Sequence, residues 1–516
     1  MTSINKFLLS IIIFIFFFSL ILYLSNNFFP LDRHWSSFYD HELTLTYNAL
    51  LFNSAELHEY VDHSGYFTIL FLSIFLKILN FFGYLAIYKI TLLNESNNLN
   101  VDLQNIIYFT RIYTMICTSF LCLVIYWIFE FFSKNRFFSF LLTFLLFLSI
   151  GTFEHFIQLR TELLTMIFFI LSFLSIVVFL TEKKNFELKY LFLFFIFLFS
   201  AILNKTQIFF YLFAILLVAS FIKVEKTKYF NFENYKFLEN KNFTYYLLGI
   251  VILYLILKLI TKGSSISGIS FIFVNILMIN TFFYLVLKKI DLDIKKNLKF
   301  INLVILACFV VFKAILFIHP STNEMAFNNT FTNVIDNTFK YTITSTEGNS
   351  GIISILIDFI IRFIDHLIFL FRNINYYSFL IIGSLLLNFT LKKNTKIIYF
   401  NLSCIFSFLI ISYISSLRGP VGSIIFAGFP YYNIFSDFFL ILSFVNYSKH
   451  LKNRVYLVIL PIIIIAGLLN YHIIYKYRIG SISHNRIEEI CDNSYFYDWH
   501  KKIPANRFKS FCNSAL

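Results

Sequence analysis

The stretch FYDHELT places three ionisable side chains, Asp40, His41 and Glu42, in a row shortly after a hydrophobic N-terminal segment, residues 7–24. Two carboxylates and a histidine at that point form either a hydrated surface turn or a site that handles protons. A carboxylate held against a hydroxyl group can accept its proton as a general base. Because neighbouring carboxylates titrate as a pair, the sequence leaves open whether Asp40 or Glu42 would be that base.

The composition indicates a membrane as the setting of these residues. Hydrophobic residues make up 59% of the 516 positions and charged residues only 14%, far from the shares found in soluble globular domains. The net charge of +14 does not indicate nucleic acid, because the lysines and arginines fall mostly in short runs between apolar segments, as the positive-inside rule describes. We therefore expect the lipid bilayer, and no nucleic acid, as a partner.

Apolar segments long enough to cross a bilayer recur along residues 1–474. The sequence predicts an all-α polytopic membrane protein with a bundle of about thirteen transmembrane helices. The predicted spans are 7–25, 107–131, 137–151, 163–180, 190–203, 208–222, 243–261, 271–287, 300–318, 376–391, 397–416, 431–446 and 455–474.

Short basic runs orient these spans. Runs such as those at 134–136, 182–189 and 392–396 are expected in the cytoplasm. They alternate correctly with the spans only if the apolar stretches 66–93 and 352–371 do not cross the membrane. Both are therefore predicted to lie along the outer interface as juxtamembrane helices.

The same alternation of basic runs and spans predicts which parts of the chain face outward. The longest loop, 26–106, and a short C-terminal tail, 475–516, fall outside the cytoplasm. We therefore expect an integral, multi-pass protein of the plasma or inner membrane, with the acidic stretch in its first outer loop.

Two elements of the first outer loop resemble a known family. Asp40 and Glu42 form a D-x-E element soon after the first span, and DHSGYFTILF, residues 62–71, carries His63 just before an apolar run. This pattern resembles the GT-C superfamily of membrane glycosyltransferases, of the type of the protein O-mannosyltransferases and aminoarabinose transferases. In that superfamily an acidic motif is followed by a His-Pro motif that leads into a juxtamembrane helix. Here Ser64 stands where proline is usual.

The resemblance continues in the later outward loops. QLRTELLTMIF, with Arg160 and Glu162, is similar to a second acidic loop that faces the first. NKTQ contributes Lys205, and RGPVGSIIFAGFPYYNIFSD contributes Arg418 and Tyr432, where related proteins have a cation and an Arg/Tyr-rich loop.

The resemblance implies a GT-C-like domain over 1–474 and a reaction. A sugar would move, with inversion, from a polyprenyl-phosphate-linked donor to an acceptor glycan, lipid or protein on the extracytoplasmic side. Asp40 would act as the base, and Glu42 would orient the acceptor or share its proton. Cations would stabilise the negative charge that develops on the leaving phosphate. The residues implied in substrate binding are His41, His63, Arg160, Glu162, Lys205, Arg418 and Tyr432.

Several of these residues also have a plainer interpretation. Arg160 and Glu162 can form an ordinary salt bridge at the end of a span, and Lys205 can snorkel to the interface. Arg418 can mark a turn with its neighbouring glycine and proline. Tyr432 can belong to an aromatic belt at the membrane surface.

Two other functions use the same kind of architecture. A lipid-linked sugar transporter or flippase would show internal repeats or interrupted helices near the membrane centre, whereas here the charged residues gather in outward loops and no repeat is visible. An O-antigen-type polymerase or ligase would have large outer loops and the same donors. The acidic motif so soon after the first span favours the transferase over both.

The spacing of the cysteines and other possible ligands bears on metal sites, cofactors and disulfides. No metal-ligand spacing appears, so neither a metal site nor a cofactor is predicted, and the assistance of a divalent cation stays open. Four cysteines lie in apolar stretches, where a free thiol packs as a small hydrophobe. Cys491 and Cys512 of the tail either form a disulfide in an oxidising compartment or remain two free thiols.

Overall fold

The computed structural model describes most of the chain as helix. The described residues are 3–38, 42–59, 65–181, 188–205, 207–222, 266–289, 294–319, 352–372, 375–390, 395–416, 433–448, 455–474 and 500–504. Within these ranges no strand occurs, so the predicted all-α class is confirmed there. Several predicted features lie outside them, namely Asp40, His41, His63, Arg418, Tyr432, the span 243–261 and the cysteines Cys491 and Cys512.

The helices of the N-terminal half follow the predicted apolar runs closely. Their bounds are α1 Ser3–Phe28, α2 Thr44–Asn53, α3 Tyr66–Phe81, α4 Ile90–Glu95, α5 Leu99–Ser133, α6 Arg136–Phe147, α7 Ile150–Ile157, α8 Thr161–Thr181, α9 Leu188–Asn204 and α10 Ile208–Ser220. The described helices of the second half are α11 Ile266–Lys289, α12 Ile294–Ile318, α13 Ile352–Arg372, α14 Tyr376–Thr390, α15 Thr395–Ser416, α16 Asn433–Leu442 and α17 Val455–Ile474.

Four of the described helices, α1, α5, α8 and α15, are long and apolar enough to cross a membrane. The pair α6–α7 makes a fifth if it forms one bent span. Each predicted span outside 243–261 overlaps a described helix at least in part. Several long apolar helices are therefore compatible with a membrane protein, and the total of about thirteen spans stays a prediction.

The predicted span 137–151 coincides with a bent pair of helices, α6 and α7, rather than with one helix. Helix α6 ends at Phe147, and α7 leaves it at an angle of 70°. Ser149 breaks the run because its backbone is extended and its side chain accepts a hydrogen bond from the amide of Thr152, which caps α7. The predicted outer loop 151–162 consequently begins as helix.

Helix α5 organises the N-terminal half. Its 35 residues extend over about 52 Å at the usual helical rise, longer than the hydrocarbon core of a bilayer. It packs against α1, α6, α7 and α8. Its first turns meet the predicted first outer loop, where Trp35 donates hydrogen bonds to Gln104 and Asn100.

The two stretches predicted to lie along the interface are also helical. The first divides into α3 and α4 around a turn at Gly83, whose positive φ of 77° suits glycine. The second is the single helix α13. Neither is among the helices of spanning length and apolarity, and their position at the interface stays a prediction.

The described part of the tail, 500–504, lies against the first loop. The amide of Lys502 donates to the Tyr47 hydroxyl at 3.0 Å, and its carbonyl accepts from Asn94 at 2.7 Å. The ring of His500 packs edge-on against Tyr47, with centroids 4.7 Å apart. These contacts put residues 500–504 beside the loop that carries the acidic stretch.

Candidate active site

Glu42, the last residue of the acidic stretch and the only one within the described ranges, is fully buried. Its Oε2 accepts hydrogen bonds from Nε and Nη2 of Arg111 at 3.1 and 2.9 Å. The guanidinium of Arg33 lies 3.7 Å from Oε1. Glu42 is therefore held by two cations, one from its own loop and one from the distant helix α5, and does not lie in a hydrated turn.

Arg111 fixes the chain that leaves α1. Besides Glu42, its guanidinium donates to the backbone carbonyls of Leu31, Arg33 and His34. Since a guanidinium has five N–H donors in a rigid fork, one side chain can hold this turn and the carboxylate together. The position of Glu42 thus depends on α5.

Arg33 connects the first loop to the second. Its guanidinium donates to the carbonyl of Ile157 at the end of α7. Burial, followed by the positive charge of Arg111, lowers the pKa of Arg33 to about 9 against the opposing effect of Glu42. Arg33 therefore remains a cation at neutral pH, and two guanidinium groups share one carboxylate.

The second predicted loop forms its own buried ion pair. Nζ of Lys205, directly after α9, lies 2.7 Å from Oε1 of Glu162 in the first turn of α8. Both side chains are almost fully buried, at 3% and 2% exposure. Lys205 therefore does not snorkel to the interface, and Glu162 takes Lys205 as its close partner. Arg160 is also buried beside this pair.

Asn204 joins three segments at the same place. Its side-chain amide donates to the carbonyl of Thr161 at 2.7 Å and to the hydroxyl of Thr165 at 2.9 Å. Its Oδ1 accepts from the amide of Thr68 at 2.9 Å, and its carbonyl accepts from the amide of Gly65 at 3.0 Å. The starts of α3 and α8 and the end of α9 are thereby held together.

Gly65 is required where the loop enters α3. Its φ is +49°, in the left-handed region that favours glycine. A Cβ there would also lie 3.0 Å from Cγ2 of Thr161. The entry into α3 therefore lies against the Thr161 segment.

The predicted site residues that fall in the described ranges are thus brought together in two linked groups. Glu162, Lys205 and Arg160 form one group around Asn204, and Glu42 belongs to the other. The Arg33 contact with Ile157 connects the two. Buried ionisable groups at membrane depth are candidates for function by default.

Sequence reasoning missed the residues that build this arrangement. Arg111, Arg33 and Asn204 are not among the predicted site residues. The signal was present for Asn204, which precedes Lys205 in NKTQ, and for Arg33, which precedes the acidic stretch. Buried Glu154 and His155 on α7 were taken as part of a loop.

Neither a search for metal sites among the described residues nor comparison with other proteins identifies further site residues. Among the described residues no group of three or more His, Cys, Asp or Glu side chains could hold a metal ion. Comparison with protein-family models, with curated proteins and with solved structures finds no match. The resemblance to GT-C glycosyltransferases therefore rests on the residues of this chain.

Proposed function

We propose that this protein is a membrane glycosyltransferase of the GT-C type. It moves a sugar from a polyprenyl-phosphate-linked donor to an acceptor glycan, lipid or protein on the extracytoplasmic side. The observation that carries the proposal is the convergence of sequence-distant segments. Arg33, Glu42 and the segments 65–68, 157–162 and 204–205 are held together by the contacts of Arg33, Arg111, Asn204 and Lys205.

The two carboxylates of the first loop have different roles, and only one of them acts as the base. Oε2 of Glu42 already accepts two hydrogen bonds from Arg111, so Glu42 holds the turn. Asp40 is then the carboxylate left to accept the proton of the acceptor hydroxyl as it attacks the anomeric carbon. Attack on the face opposite the leaving phosphate inverts the anomeric centre.

The second group supplies positive charge for the leaving phosphate. Lys205 and Arg160 are cations in buried surroundings, where an electrostatic interaction is stronger than in water. Arginine also offers a planar fork that matches phosphate oxygens. Glu162 fixes the position of the Lys205 ammonium, so that the charge is in place before the donor arrives.

The direct test is to identify the lipid that co-purifies with the protein. Mass spectrometry of extracted lipids should show polyprenyl phosphate or its sugar derivative bound to the wild type. The double variant Glu162→Gln with Lys205→Met removes both buried charges together, so neither is left uncompensated, and it should lose the lipid. Lys134→Met, at an exposed position before α6, is the matched control and should retain it. Absence of polyprenyl phosphate from folded wild type would overturn the proposal.

One observation favours a transporter or flippase as the second candidate. The bent pair α6–α7 is a broken helix, which transporters use where a substrate or ion is bound. Vesicles containing the protein distinguish the two. A transferase consumes the lipid-linked sugar and leaves polyprenyl phosphate, whereas a flippase moves the intact lipid between leaflets. A polymerase or ligase would also consume the donor and is recognised by its polymeric product.

A further inference from the structure

A second buried polar group lies on α16. Asp437 and Asn433 are one helical turn apart on the same face, and both are buried, with 0% and 1% exposure. Neither oxygen of the Asp437 carboxylate has a hydrogen-bond partner, and neither does the Asn433 amide oxygen or nitrogen. Asp437 is thus an exception to the gathering of charged residues in outward loops.

Three other elements bring polar groups to this face. The hydroxyl of Ser149 and the backbone amide of Gly151, at the α6–α7 break, face the Asp437 carboxylate, and so does the hydroxyl of Tyr377 on α14. The Tyr377 hydroxyl also lies near the Asn433 amide, but by distance and angle neither it nor the Asp437 carboxylate forms a well-aligned hydrogen bond. Among the described residues, the groups that face the carboxylate are two hydroxyls and an amide, none of them positively charged.

The close approach of the backbone shows that this arrangement is built into the fold. A Cβ on Gly151 would lie 2.5 Å from the amide nitrogen of Ile434 and 2.8 Å from Oδ2 of Asp437. Only glycine allows α7 to come this close to α16. The interruption between α6 and α7 is therefore what lets the Ser149–Gly151 segment reach Asp437.

Buried polar atoms are normally hydrogen-bonded, and a buried carboxylate is normally paired with a cation or protonated. Here five side-chain atoms, on Asp437, Asn433 and Tyr377, are buried without a hydrogen-bond partner. Oxygen is the donor atom that hard cations prefer. A single carboxylate balances one positive charge, whereas a divalent ion would leave an excess charge in apolar surroundings.

We propose that Asp437, Asn433 and Tyr377 form a binding site for a monovalent cation of the Na⁺ class at the break between α6 and α7. The ligands are the Asp437 carboxylate, Oδ1 of Asn433 and the Tyr377 hydroxyl, with Ser149 beside them. The bound ion joins α16, α14 and the start of α7. This site uses none of the residues of the proposed active site and does not depend on the proposed function.

The test is the thermal stability of the full-length protein in detergent. Unfolding is followed in NaCl and in choline chloride at equal ionic strength and constant pH. The site predicts a saturable rise of Tm with Na⁺, of a few degrees, because an ion that binds only the folded state stabilises it. Equilibrium dialysis with radioactive Na⁺ should give one ion per chain at saturation.

Variants test whether the Na⁺-dependent rise of Tm requires Asp437. Asp437→Asn should lose the Na⁺-dependent rise while remaining at least as stable as the wild type in choline, because it removes the uncompensated charge. Asp365→Asn, on the exposed side of α13, should keep the rise. A wild type whose Tm is equal in NaCl and choline and which binds no Na⁺ overturns the proposal, even if Asp437→Asn does not fold. A Tm that responds to pH but not to Na⁺, and that loses this response in Asp437→Asn, also overturns the proposal, because the site would then bind a proton.

Discussion

Two regions of this protein bury carboxylates in opposite ways. In the first-loop region, Glu42 is paired with Arg111 and Glu162 with Lys205, and each pair joins segments far apart in the sequence. At the α6–α7 break, the described groups that face Asp437 are hydroxyls and an amide. The difference indicates that charge pairing in the first region holds the chain in place, whereas the second region has an acidic group with no counter-ion among the described residues.

The largest effect is expected from breaking the first pairing. Arg111→Met leaves Glu42 buried with only Arg33 nearby and removes the donors that hold Leu31 and His34. Removal of one partner of a buried pair costs about 3–5 kcal/mol, so the variant should unfold at much lower denaturant or temperature than wild type. The double variant Glu42→Gln with Arg111→Met should recover part of this loss. A stable single variant would mean that the pair does not hold the loop.

The second effect concerns the contact that brings α7 to α16. Gly151→Ala places a Cβ against the backbone of Ile434, and such overpacking costs about 1–3 kcal/mol. The matched control is Gly383→Ala in α14, where the nearest atom to the new Cβ is 3.8 Å away. This control should be neutral or slightly stabilising, because alanine favours helix. Equal Tm values for the two variants would contradict the close approach.

A third prediction concerns the pH dependence of stability that His58 of the first loop should cause. Its ring is buried and neither nitrogen has a hydrogen-bond partner, and burial, followed by the charge of His319, lowers its pKa to about 3. The unfolded chain, with a histidine pKa near 6.5, binds the proton that the folded chain does not. Stability should therefore fall as the pH drops below about 6.5, by about 1.4 kcal/mol per pH unit from this residue.

The measurement for His58 is the pH dependence of chemical unfolding between pH 7 and 5. His58→Leu should flatten the slope in that range relative to the wild type. A slope unchanged by the substitution would assign the acid sensitivity to other groups.

The smallest effect is expected at the tail. The ion pair between Lys502 and Glu56, at 3.1 Å, is nearly half exposed on both sides, and such pairs contribute about 0–1 kcal/mol. Lys502→Ala should therefore change Tm little, since the backbone contacts of Lys502 with Tyr47 and Asn94 remain. A large loss of stability would show that the side chain, and not the backbone, attaches the tail.

The helices could be predicted from the sequence because long apolar runs have few other stable forms in a membrane. The break between α6 and α7 could not, because Ser149 and Gly151 are small residues in an apolar run and interrupt it only when α16 approaches Gly151. The predicted span therefore continued to residue 151.

The sequence could predict which segments form the site, but not which of their side chains contact one another. The acidic stretch identified Glu42, and the resemblance to GT-C glycosyltransferases identified Glu162 and Lys205 as candidates. That Glu162 pairs with Lys205, and Glu42 with Arg111, depends on which helix ends meet in three dimensions. Periodicity along the chain carries no such information. Asp437 was passed over because it is a single acid within an apolar segment.

The central claim is the transfer reaction with Asp40 as its base, and single-turnover release of polyprenyl phosphate from a polyprenyl-phosphate-linked sugar tests it most directly. Asp40→Asn should slow this release by about 10² to 10⁴ while the protein stays folded and lipid-bound. Asp32→Asn, an exposed acid of the same loop, is the control and should react like the wild type. Release by Asp40→Asn at the wild-type rate would contradict the assignment of the base, and no release by the wild type with any such donor would contradict the proposed function.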